Sequence, residues 1–86
     1  MKKATSAQIA KMKSLLSDTM GKETYDLRGI FSHYLQILSD IDQFSQFKND
    51  FNMKLIKFDF QTDKTYIINE IKGLMKSSID YYSENL

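Results

Sequence analysis

The sequence contains no cysteine, no proline and no tryptophan, and it has only three glycines and one histidine among its 86 residues. Without cysteine, neither a disulfide framework nor a thiolate zinc site can staple the fold, so stability must come from apolar packing, and an intracellular protein is expected. No stretch approaches the roughly 20 uninterrupted apolar residues of a membrane span. The basic opening Met1-Lys2-Lys3 is not followed by the apolar run of a signal peptide, because Lys11 and Lys13 interrupt it. A soluble, cytoplasmic protein that does not engage membranes is the expectation. The glycines, at positions 21, 29 and 73, are too scattered for a phosphate-binding loop, and no H-E-x-x-H or calcium-loop pattern is present. His33 has Gly29 and Ile37 at its i−4 and i+4 positions, so no local acid or metal ligand holds it. The closest pair of carboxylates, Asp40 and Asp42, diverges on a helix because i and i+2 do not face each other. Neither an enzyme nor a protein with a cofactor or metal is expected.

What is present is a chain of one-domain length, and at this size only about 60 to 65% of the unfolded surface can be buried. With ordering costs of roughly 1 to 2 kcal/mol per residue opposing burial, a net stability of about 5 to 8 kcal/mol is the upper expectation, which keeps homo-oligomerisation open. Net charge is +1 but unevenly spread. Residues 1–30 hold six basic and three acidic side chains, residues 31–63 three and five, and residues 64–86 three and three. Eleven lysines against one arginine, with abundant Ile, Phe and Tyr, suit an AT-rich coding sequence such as that of a low-GC bacterium or one of its phages or plasmids.

Hydrophobic periodicity predicts helices throughout. Thr5 with Gln8 forms a capping box ahead of Ile9, Met12, Leu16 and Met20, which predicts a first helix from about Ser6 to Thr19 with Gly21 as a left-handed stop. Thr24 can cap a second helix carrying Leu27, Ile30, Phe31, Tyr34, Leu38 and Ile41. Ser39 with Asp42 repeats the capping signature, so a break near Leu38 and a third helix from Asp40 are predicted. Phe44, Phe47 and Phe51 have the i, i+3, i+7 spacing of one helical face, and with Phe31, Tyr34 and Phe58 they outline a continuous aromatic seam. Ile56-Lys57-Phe58-Asp59-Phe60 alternates as a half-buried strand would, which leaves a hairpin across residues 53–68 as the alternative. Downstream, Ile68, Ile71, Met75, Ile79, Tyr82 and Leu86, widened by Ile67 and Leu74, predict a last helix capped by Thr62 or Asp63, in which Gly73 marks either close contact or drift. A small all-α, antiparallel three- or four-helix bundle follows for residues 1–86, with an α+β fold as the minor alternative.

Two functional readings arise from the surface chemistry. Arg28 has no acidic residue at i±3 or i±4, so its guanidinium is locally unpaired beside aromatic residues, and Arg and Tyr are enriched at interface hot spots. The rings exceed what a small bundle easily encloses: Tyr25, Phe60, Tyr66, Tyr81 and Tyr82 lie outside the central seam, and some should form a surface patch. The first expectation is therefore a protein-interaction module, a regulator, inhibitor or adaptor that docks a helical aromatic face on a partner protein. Its candidate contacts are Arg28, His33, Phe44, Phe47, Phe51, Tyr81 and Tyr82, with the basic groups suited to an acidic partner. The alternative is a nucleic-acid-binding regulator using Lys2, Lys3, Lys11, Lys13 and Lys22. The helix-turn-helix match is poor, because the second helix opens with Glu23 and Asp26, which repel phosphate, and one arginine is few for base readout. The opening Ala4-Thr5-Ser6-Ala7-Gln8-Ile9-Ala10-Lys11-Met12-Lys13 resembles the T-x-x-Q-x-x-K helix starts of phage-encoded recombination proteins. The capping box by itself accounts for that likeness, and no family is assigned on it.

Overall fold

A computed structural model describes residues 2–86, in which four helices follow one another: α1 Ser6–Asp18, α2 Thr24–Ile41, α3 Gln46–Phe60 and α4 Thr65–Glu84. Each helix packs on two neighbours in the cyclic order α1, α2, α3, α4, and the short connections make neighbours antiparallel. The all-α bundle is thus a four-helix one. Residues 53–60 are helical and no strand occurs among the described residues, so the hairpin alternative is not formed.

The local signals decide most of the element starts. Thr5 Oγ1 accepts from the Gln8 amide at 3.0 Å while the Thr5 amide donates to Gln8 Oε1 at 2.9 Å, the reciprocal box that satisfies two donors at the start of α1. Past its end, Gly21 adopts φ +71°, the left-handed conformation that turns the chain into α2. The helix ends at Asp18, so Met20 leaves the helical phase and is exposed, and Leu15 fills the core in place of the half-buried Leu16.

The predicted break at Leu38 does not occur. α2 continues to Ile41 because Ile37, Leu38 and Ile41 are all buried, and stopping earlier would pull Ile41 from the core. The capping serine is Ser45, whose Oγ accepts from the Lys48 amide at 3.1 Å, and Asp42 shapes the connection by accepting from the Phe44 amide at 3.1 Å. Thr24 likewise opens α2 without capping it, and neither Thr62 nor Asp63 is the cap of α4, although Asp63 Oδ1 accepts from the Thr65 amide at 3.1 Å. Lys64 closes the other side of this turn. Its ammonium donates to the carbonyls of Phe58 and Gln61 and lies 4.7 Å from the Phe58 ring centroid, neutralising the C-terminal end of α3. Gly73 is open to space, so close helix contact does not account for it.

Aromatic side chains fill the centre. Phe31 meets Phe51 and Phe58 edge-on, at 6.3 and 5.7 Å between centroids, and Tyr34 stacks on Phe51 at 5.2 Å. The Tyr34 hydroxyl, fully buried, donates its single proton to the Met75 carbonyl at 3.0 Å and then accepts from Ser78 Oγ at 2.6 Å. Among the described residues this is the one buried polar link between α2 and α4. Burial pushes the Tyr34 hydroxyl well above the usual tyrosine range, with the Ser78 hydrogen bond opposing the shift.

Candidate interaction surface

The aromatic seam loses Phe44 and Phe47 at the break between α2 and α3, while Phe31, Tyr34, Phe51 and Phe58 stay together in the core. Phe51 and Tyr82 lie in the core and offer no surface to a partner, which corrects their assignment as docking contacts. Phe47 and Tyr81 are half-buried and pack with Tyr82, at 5.4 Å for Phe47–Tyr81 and 5.2 Å for Tyr81–Tyr82, so this trio closes the bundle where α3 begins and α4 ends. Phe44, displaced from the helix by the Ser45 cap, is exposed in the α2–α3 connection. His33 is exposed on α2.

Arg28 is paired after all. Nε donates to Asp59 Oδ1 at 2.7 Å and Nη2 to Asp59 Oδ2 at 3.1 Å, a two-pronged bridge from α2 to α3, while Nη1 donates to Ser32 Oγ at 2.9 Å. The hydrogen bond from Arg28 holds the Asp59 carboxyl below its ordinary value and raises the guanidinium in turn. Local sequence rules see only i±3 and i±4 neighbours, and Asp59 is 31 residues away. Lys54 of α3 and Glu70 of α4 form the corresponding link on the other flank of α3, at 3.0 Å.

With both flanks of α3 tied to neighbours, its fourth side remains. Met53, Ile56 and Phe60 stand there at i, i+3, i+7, with 61%, 48% and 85% of their surface exposed. At 100° per residue they centre roughly 170° around the helix from the core residues Phe51, Leu55 and Phe58. α3 is therefore apolar on two opposite faces. The strand-like alternation of residues 56 to 60 is the sequence trace of that arrangement, since residues two apart on a helix point about 200° apart: Phe58 enters the core while Ile56 and Phe60 face out. Asn49 lies in line with the stripe at its N-terminal end, and Asn52 on one side and Lys57 on the other are its polar neighbours, all three exposed. Exposed Tyr25 and Tyr66 start α2 and α4 at the end of the bundle where α3 finishes with Phe60, so the outer stripe runs into an aromatic end.

The N-terminal cations do not gather on one face. Lys2, Lys3, Lys11, Lys13 and Lys22 are all exposed, but Lys11 and Lys13 lie about 160° apart around α1, flanking its buried stripe on opposite sides. Among the described residues no three of His, Cys, Asp and Glu converge as a metal site, and no helix is long and apolar enough to cross a membrane. No protein-family model, no curated protein and no solved structure matches the chain.

Proposed function

We propose that this chain is a small non-enzymatic interaction module that docks the outer face of α3 on another protein. The observation that carries the reading is the exposed Met53–Ile56–Phe60 stripe, three large apolar side chains at helical spacing on the side of α3 that the bundle leaves uncovered. Singly exposed apolar residues are ordinary, whereas a run at i, i+3, i+7 on one helix face is the pattern that helix-mediated recognition uses. The aromatic face expected from sequence is thereby moved: the contacts are Met53, Ile56 and Phe60, extended by Tyr25 and Tyr66, rather than Phe47, Phe51, Tyr81 and Tyr82. A single helix face is smaller than the roughly 800 Å² per partner of a standard interface, which suits a reversible, regulatory association by occlusion or bridging.

Capture from a host lysate with tagged wild-type protein and with the Ile56→Asp/Phe60→Ser double variant tests this. The expected result is a stoichiometric protein that survives nuclease treatment, is retained by the wild type and is lost from the variant. Equal retention by both, or recovery that collapses with nuclease, would overturn the reading.

A further inference from the structure

A second surface, on helices α1 and α4 and separate from the α3 stripe, has chemistry of its own. Lys13, Leu16, Ser17 and Met20 on or just beyond α1 face Lys72, Lys76, Ile79 and Asp80 on α4 across a groove of about 500 Å³. The floor is apolar, made by the half-buried Leu16 and the buried Ile79 with exposed Met20 at one end. The rim is cationic: three lysines against the single carboxylate of Asp80. None of the three forms an ion pair among the described residues, in contrast to Arg28 and Lys54, whose carboxylate partners sit across helix interfaces. Lys13 thus belongs with two lysines of α4 rather than with the other N-terminal cations.

We propose that this groove receives an acidic amphipathic helix of a partner protein, which sets aliphatic side chains on Leu16, Met20 and Ile79 and directs carboxylates to Lys13, Lys72 and Lys76. The charge imbalance selects the sign of the partner, because three unpaired cations around an apolar strip attract anions and repel a basic segment. The strip selects against nucleic acid, whose phosphate backbone has no use for an apolar floor. The length of the groove suits a helix: its α4 wall from Lys72 to Asp80 spans about 12 Å, room for roughly two turns of a helix lying between the two antiparallel ridges.

The test is amide-resolved NMR titration of the intact, isotopically labelled chain. The probes are a capped 14-residue amphipathic peptide with leucines on one face and flanking glutamates, the same peptide with lysines replacing the glutamates, and a 20-base-pair DNA duplex. The glutamate peptide should shift amides of residues 13–20 and 72–80, the lysine peptide should not, and Lys72→Glu/Lys76→Glu should weaken the first at least tenfold and reverse the preference. Met20→Gln, at an exposed position outside the core, should weaken the glutamate peptide severalfold. Three results would each overturn the proposal. They are no saturable shift at about 1 mM peptide, shifts confined to residues 53–60, and tighter binding of the duplex that Met20→Gln leaves unchanged. Because the α3 reading is tested with variants of Ile56 and Phe60 alone, each proposal can fail without the other.

Discussion

The two faces of α3 have similar composition and opposite fates. Phe51, Leu55 and Phe58 are buried in the core, with the ring of Phe51 in contact with Phe31 and Tyr34, while Met53, Ile56 and Phe60 on the far side are exposed. Hydrophobicity therefore does not decide burial along this segment. Complementary packing decides it: Phe51 and Phe58 fit against Phe31 and Tyr34, and the partly exposed ties Arg28–Asp59 toward α2 and Lys54–Glu70 toward α4 flank the face so chosen. One face then serves folding, and the other is left for whatever the chain encounters.

The comparison is broken most severely from the inside. Phe51→Ala removes a fully buried ring that two aromatic neighbours contact, and a loss of about 3 to 5 kcal/mol in urea unfolding is expected, enough to remove most of the stability of so small a bundle. Tyr34→Phe keeps the stacked ring but strips the Met75 carbonyl of a donor and Ser78 of a partner, and should cost about 1 to 2 kcal/mol. The same hydroxyl contributes to the alkaline limit of the fold. Its folded value is raised above the ordinary 10.0, so stability is fully present below pH 10 and falls as pH rises further, because the unfolded chain ionises first. Burial raises Tyr82 in the same direction. Tyr34→Phe should flatten the alkaline decline measured by thermal melts from pH 9 to 12.

The flanking ties come last in magnitude. Arg28 and Asp59 are both more than a third exposed, so Arg28→Ala should change stability by less than about 1 kcal/mol, with added salt masking part of it. The sign with pH is opposite to that of tyrosine. Asp59 is held below its ordinary 3.8, so the contribution of the pair is present above that value and disappears as pH falls through the lowered one. An acid titration of wild type and Arg28→Ala should converge at the low end.

Much of this architecture is written in local spacing. The capping box at Thr5 and Gln8, the left-handed Gly21, and the stripes of Leu27, Phe31 and Tyr34 and of Ile71, Met75 and Ile79 are readable because each depends on residues three or four apart. The capping signature at Ser39 and Asp42 is locally stronger than that of Ser45, which has Lys48 instead of an acid three residues on, and the burial of Ile41 overrides it. That choice releases Phe44 from the seam to the surface. Ser78 shares the buried stripe of α4, but its polarity hid it, since only the distant Tyr34 makes a buried hydroxyl there favourable. The outer stripe of α3 is visible as alternation, which over five residues a helix with two apolar faces shares with a half-buried strand, so it keeps the hairpin open as an alternative to the helix without revealing the second face. The lysine-rimmed groove needed the pairing of α1 with α4, which no window of the sequence contains.

The most direct test of a two-faced α3 is urea unfolding of the Ile56→Asp/Phe60→Ser variant beside wild type at two protein concentrations a hundredfold apart. If the outer face is uncovered in the isolated chain, the two unfolding free energies agree within about 0.5 kcal/mol and neither depends on concentration. A loss of about 2 kcal/mol or more, or a wild-type midpoint that rises with concentration, would contradict it by showing that the face is already buried, in the core or against a second copy.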